Sequence, residues 1–270
     1  MIPTALHSGP ELRVDEARLR AAPDPRAALR DVAASLVAAL RKPPHFIRLT
    51  GLAPTESSDL AATLARLIAV TPPHPPGMDR ERLLKLSFTQ VRVDPEKAAG
   101  AGAVTAYSRT AQPLALHSDS SYLGRPHPLV LFQFVRADAA GGASVMASVH
   151  DVMQAADEEL IRELIKPQFP FGKGDMPILF GRPDDPHIRY YRSQIDTAVA
   201  EGAALSDTAR AALDRLDALL NGQVRTHEFH AASGEIVFMH NTRVLHGRRG
   251  FAETSPRLMY RIRMHTGCLG

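Results

Sequence analysis

The sequence has no tryptophan and a single cysteine, Cys268, among its 270 residues. One thiol cannot close an intrachain disulfide, so the expected setting is cytoplasmic and the fold must rest on its core. No apolar run approaches the ~18 residues of a membrane span. Met1 to Pro10 lacks the basic-then-apolar order of a secretory leader. Aromatic residues make up only 6% of the chain, and no lysine-rich patch is interleaved with them, so neither a membrane nor a nucleic-acid partner is expected. The net charge of +3 and pI near 9.2 suit an anionic small molecule. A homo-oligomer is compatible with the sequence, but nothing in it specifies one.

Several catalytic signatures are missing as well. There is no Gly-x-Ser-x-Gly elbow for a serine hydrolase, and no phosphate loop or dinucleotide turn. Cys268 sits too near the chain end to be held as a nucleophile. His227-Glu228-Phe229-His230 is one residue short of the zinc-protease spacing, and on a strand its two histidines face opposite ways.

What is present is ordinary globular composition, 44% apolar and 23% charged, with enough length for one large domain. Asp24-Pro25 caps a helix in which Leu29, Val32, Ala33, Leu36, Val37 and Leu40 recur at helical spacing. A short strand at Phe46–Leu49 and a helix from about Glu56 to Val70 complete an N-terminal helix–strand–helix region, residues 1–80. Strands then dominate: an alternating Leu84–Val93, a continuous apolar Leu129–Val135, Ala143–Val149, Ile188–Tyr191, Glu235–His240 and Leu258–Met264. Helices are expected at Asp151–Ile165 and after Ser206. Pro95–Thr105, rich in Gly and Ala, reads as a mobile connection. The pattern predicts an α+β, mainly β chain: one domain over 1–270, a double-stranded β-helix (jelly-roll) core with N-terminal helices and a helical insertion.

Three segments can carry chemistry. In His117-Ser118-Asp119 the outer residues project to one side of an extended chain, so imidazole and carboxylate can meet one cation. Alone, the pattern is also a solvated loop pair; roughly 0.8 such matches are expected by chance. His246, after the strand Ile236-Val237-Phe238-Met239, is by itself equally a buried, hydrogen-bonded histidine. Added to the first pair, it completes the two-histidine, one-carboxylate set that leaves open positions on non-haem iron(II). Along Arg257 to Met264 the period of two puts Arg257, Met259, Arg261 and Arg263 on one face. If that face is solvent it is a polar exterior. If it lines a barrel, the guanidinium groups need an anion, and a dicarboxylate matches their fork.

Together, the His-x-Asp pair, the distant histidine and arginines eleven and fifteen residues beyond it resemble the TauD/TfdA (taurine dioxygenase-like) family. The resemblance runs through Leu114–Tyr122, Gly141–Ser148 and Gly234–Arg248 to the arginine strand. It implies a dioxygenase in which His117, Asp119 and His246 bind Fe(II) and 2-oxoglutarate and O2 are cosubstrates. Arg261 is expected on the distal carboxylate of 2-oxoglutarate, with Ser144 beside it where relatives usually carry threonine, and Arg257 near the carboxylate on iron. Retention of Asp119 implies hydroxylation of a C–H bond, with release of succinate and CO2, rather than halogenation. Desaturation, cyclisation, or a non-catalytic ligand-binding jelly roll are the alternatives. His240 stands where relatives commonly have aspartate and is a competing metal ligand by residue type. For a small polar substrate, an amino acid or related carboxylate, the candidates are Tyr107, Arg109, Ser121, Tyr122 and Asn241.

Overall fold

Two facing sheets form the centre of the computed structural model, which describes residues 9–74, 78–94, 109–138 and 140–269. In chain order the strands are β1 (Glu11–Arg13), β2 (Phe46–Thr50), β3 (Ser87–Val91), β4 (Leu114–His117), β5 (Leu129–Arg136), β6 (Ser144–Ser148) and β7 (Phe169–Pro170). They continue as β8 (Asp175–Met176), β9 (Leu179–Arg182), β10 (Asp185–Ile188), β11 (His227–Phe229), β12 (Ile236–His240), β13 (Val244–Arg248) and β14 (Leu258–Met264). The larger sheet runs β1-β2-β12-β5-β14-β3 and the smaller β11-β6-β13-β4, the jelly-roll arrangement. All pairings in both are antiparallel except β1 with β2. β7–β8 and β9–β10 are separate two-stranded ribbons.

The central strands are apolar on both faces because both faces are covered. On β12 and β5, Val237, Met239, Val130, Phe132 and Phe134 point between the sheets, where they meet Met146, Phe229 and Val244 of the smaller one. Ile236, Phe238, Leu129 and Leu131 point outward beneath α2 (Pro25–Leu40) and α3 (Asp59–Ala69), against Leu36, Leu40, Leu64 and Ile68. Asp24 caps α2 through its carboxylate on the Ala27 amide at 2.9 Å, with Pro25 following, as the sequence predicts. The N-terminal region is not merely laid on the barrel. Its strand β2 is inserted between β1 and β12 and is part of the larger sheet. The outer face of the smaller sheet carries Ala147 and Leu245 into a third cluster with the insertion, including Leu160, Phe169, Tyr190, Leu213 and Leu216.

Other boundaries move for identifiable reasons. After α1 (Glu16–Arg20), α2 and α3 comes α4 (Arg80–Leu84), capped by Asp79, so the strand expected from Leu84 begins at Ser87. The expected Asp151–Ile165 helix divides into α5 (Val149–Ala155) and α6 (Glu158–Leu164), because Asp157 adopts extended backbone and caps the second at Leu160 N. Helices α7 (Arg192–Ala200) and α8 (Asp207–Gly222) follow, the latter capped by Ser206 as expected. The strand expected at Ile188–Tyr191 lies earlier, as β10, and Arg189–Tyr191 leave it to run against the loop after β4. Pro95–Thr105 falls outside the described residues. None of the described helices is long and apolar enough to cross a membrane.

Candidate metal and cosubstrate site

Strand pairing brings the two histidines together. β13 lies between β6 and β4, and its His246 is in register with His117, the last residue of β4. The imidazole centroids are 4.3 Å apart. Gly247 lets the strands approach this closely, since a Cβ there would meet the Leu114 carbonyl oxygen at 2.7 Å. Asp119 arrives from the turn beyond β4, where Ser120 takes the left-handed conformation at φ 60°. His117, Asp119 and His246 are all buried, and one potential ligand atom from each lies within 4.8 Å of the others.

The turn is held by side chains that consume their own polar groups in doing so. Asn241, fully buried, accepts from the Asp119 amide at 2.8 Å and donates to the Asp119 and His127 carbonyls at 2.8 and 2.9 Å. Ser121, also fully buried, donates to the Ser118 carbonyl at 2.6 Å. Both were expected at the substrate; the structure uses them as braces for the metal loop. From the insertion, Arg189 donates to the carbonyls of Leu123 at 2.9 Å and Gly124 at 3.3 Å. Tyr190 exchanges hydrogen bonds with Ser118, and the Tyr191 ring lies 4.7 Å from that of His117. None of these three residues stands in a recognisable motif, so sequence reasoning missed them. Tyr122 is part-exposed beside Lys173, Arg109 bonds through its carbonyl to the Asp94 amide, and Tyr107 lies outside the described residues.

All three ligand candidates are tuned to the state a cation needs. Burial lowers His246 to about 3, and His117 in the same direction, so both imidazoles are neutral. Burial works to raise Asp119, but the Arg261 guanidinium and the two imidazoles outweigh it, and the carboxyl is held below its ordinary value. His117 Nδ1 donates to the Ala115 carbonyl at 2.9 Å, which leaves the lone pair on Nε2. Asp119 Oδ2 and His246 Nδ1 are buried without a hydrogen-bond partner. A carboxylate oxygen and an imidazole nitrogen left unsatisfied in one buried cluster are what a cation would resolve. His240 does not belong to this group. It lies among His45 and His187, with ring centroids 6.2 and 5.7 Å away, and its Nδ1 faces the Thr242 hydroxyl at 3.3 Å.

The arginine face points inward. Arg257, Arg261, Ser144, Phe132, Met259 and the two histidines line one cavity of about 40 Å³, with the Arg261 side chain reaching Asp119 Oδ1 at 2.8 Å. Arg257 lies at the other end, near Gly142 and the Phe134 and Phe251 rings, buried and with no carboxylate in salt-bridge reach among the described residues. Burial, with Arg248 nearby, lowers it to about 10. A larger cavity, about 630 Å³ between the outer edge of β4 and the end of α8, contains none of the triad.

Comparison with known proteins agrees with this geometry. No curated protein sequence matches the chain. Among solved structures it is similar to asparagine oxygenase (AsnO), at 17% identity and TM-score 0.68 over 95% of this chain and 93% of that one. It is also similar to a variant of the non-haem iron oxygenase OrfP in complex with (3S)-hydroxy-L-Arg, at 14% identity and TM-score 0.64 over 96% and 94%. A further OrfP structure, with Fe and alpha-ketoglutaric acid, matches at 15% identity and TM-score 0.60 over 94% and 85%. The model of the taurine catabolism dioxygenase TauD, TfdA family matches residues 16–263. With that match over nearly its whole length, the chain belongs to the TauD/TfdA family and is an Fe(II)- and 2-oxoglutarate-dependent dioxygenase.

Proposed function

We propose that this single-domain enzyme hydroxylates an amino-acid-like small molecule at a site where His117, Asp119 and His246 hold iron(II). The observation that carries the reading is the buried neutral-imidazole and carboxylate triad, whose two histidines share a cavity with Arg257, an arginine with no carboxylate in salt-bridge reach among the described residues. Bound iron(II) with 2-oxoglutarate supplies the oxidising power for a C–H bond. The chain's own groups bind, orient and shield. Arg257 and the Ser144 hydroxyl, remote from the triad carboxylate, suit the distal carboxylate of 2-oxoglutarate; Arg261, already against Asp119, belongs to the metal end. This reverses the roles the sequence resemblance implies for the two arginines. The reason is position along β14: two strand positions of one face separate them, about 13 Å, and only Arg261 reaches the triad. The cavity encloses only about 40 Å³, so side chains along its wall have to move for a dicarboxylate to enter. Aliphatic and aromatic walls, Val91, Phe132 and Met259, keep water from the reacting end. Hydroxylation of an amino acid is supported by the neighbours, whose structures hold hydroxyasparagine and hydroxyarginine.

The test is spectroscopic and chemical. Anaerobic addition of Fe(II) and 2-oxoglutarate should give a weak visible charge-transfer band, absent in His117→Ala. Aerobic turnover with amino acids, amines and sulfonates should release succinate, and the product should gain one oxygen by mass. Absence of the band and of any succinate would overturn the reading; stimulated succinate release without oxygen gain would replace hydroxylation by desaturation or cyclisation.

A further inference from the structure

The last strand carries a third inward arginine that the cosubstrate does not require. Arg263 follows Arg261 on the same face of β14, in register with Ser87 on β3 and Val130 on β5. It donates through Nη2 to the Ser87 hydroxyl at 3.0 Å and has no carboxylate in salt-bridge reach among the described residues. The Nε atoms of both Arg261 and Arg263 are buried without a partner. Arg261 pairs with Asp119 through Nη1 and Arg263 with Ser87 through Nη2, which leaves the buried Nε of each without an acceptor among the described residues.

The charges are unequal in the same sense. Three guanidinium groups and iron(II) face the Asp119 carboxylate and the two carboxylates of 2-oxoglutarate, which leaves two positive charges uncompensated. Asp119 is the one acid at the triad, and the cavity wall adds none among the described residues. Beyond Arg263 lie two histidines that burial keeps neutral, in a cavity where Arg82 and Lys85 balance Asp79 and Glu81. His127 bonds through Nδ1 with the Ser120 hydroxyl at 3.0 Å, beside Asp119, and stacks on His265 at 4.6 Å. These two histidines and Ser87 open into a cavity of about 470 Å³ that also presents Arg82 and Lys85. Its acids are Glu81, exposed, and Asp79, whose carboxylate accepts from the Arg82 amide at 2.6 Å as a helix cap. The volume is within the usual range for small-molecule sites.

We infer that the substrate is a small dicarboxylic amino acid, one carboxylate taken by Arg261 and the other by Arg263 at the His127 side of the metal loop. The inference rests on the amino-acid reading above and narrows it. The two guanidinium groups stem from positions about 7 Å apart on one face, a spacing that two carboxylates on a short carbon chain can bridge through flexible arginine stems. A cationic substrate would instead require carboxylates where the chain has arginines, so the site differs in charge from one built for arginine.

The experiment is a charge-matched panel with the iron-loaded enzyme: aspartate against asparagine, glutamate against glutamine, and arginine, with succinate release as readout. The acids should stimulate turnover, with kcat/KM at least tenfold above the matched amide. Arg263→Gln should bring that ratio close to one, chiefly through KM, whereas Arg263→Lys should keep most of it. Amides or arginine equalling the acids, or an unchanged ratio in Arg263→Gln, would overturn the inference. So would a normal charge-transfer band with no stimulation by any member of the panel. Loss of the band in the wild-type protein would instead sink the iron and 2-oxoglutarate reading beneath it.

Discussion

Replacing Asn241 by alanine tests whether the metal loop is held as described. The side chain makes three hydrogen bonds of 2.8 to 2.9 Å to the backbone at Asp119 and His127, in a position with no solvent exposure. Its removal loses about 1 kcal/mol net per bond and strands a buried amide and two carbonyls, for a total of about 3–5 kcal/mol. At about 2–4 °C per kcal/mol for a chain of this size, Tm should fall by roughly 6–20 °C. The functional loss should exceed what unfolding explains. Ser120 holds a left-handed backbone conformation beside Asp119, a strained turn that persists only while its surroundings over-determine it. Once released, Asp119 no longer faces the histidines, and Fe(II) affinity should drop about 10–100-fold. Thermal unfolding by circular dichroism gives the first quantity, and anaerobic Fe(II) titration well below Tm gives the second. A variant with wild-type Tm and wild-type Fe(II) affinity would refute the claim that this amide sets the loop.

Gly247→Ala places a Cβ 2.7 Å from the Leu114 carbonyl oxygen, so it should force β13 from β4, cost about 1–3 kcal/mol and weaken Fe(II) binding; unchanged affinity would contradict the close approach. Arg257→Ala should raise the KM for 2-oxoglutarate far more than that for substrate, and Ser144→Ala should do so less; an effect confined to the substrate would refute the placing of Arg257 on the cosubstrate. Acid should destabilise the fold through its buried neutral histidines. Burial lowers His45 and His187 to about 4, below the ordinary ~6.5. The unfolded chain therefore binds more protons than the native one between these values. The stability is complete above about pH 6.5 and is lost as pH falls toward 4, by at most about 3 kcal/mol for each histidine. Denaturant midpoints between pH 7.5 and 4.5 measure this, and a flatter profile should appear in His45→Gln; an unaltered slope would argue against it.

The elements and ligands that could be read from the sequence were those whose signal is local. Asp24-Pro25 is a cap whatever packs on the helix behind it, and the β14 alternation separates arginines from apolar residues because side chains alternate on any strand. The break at Asp157 was hidden because the apolar spacing continues across it, while the capping hydrogen bond to Leu160 N competes with helix continuation only locally. His240, ambiguous by residue type, is assigned to the His45–His187 cluster by packing alone.

Residue identity and spacing thus showed a mainly β chain, a His117–Asp119 pair and an arginine row on one face of the last strand, because side chains alternate on any strand; His246 joined the pair through the family resemblance, and the inward direction of the row came from the structure. The pairing of Arg261 with Asp119, and the use of Asn241, Ser121, Arg189 and Tyr190 as braces of the metal loop, was decided by tertiary structure. The physical reason is that those roles depend on which groups lie opposite one another across the barrel, from segments up to 142 residues apart, and no local pattern carries that distance.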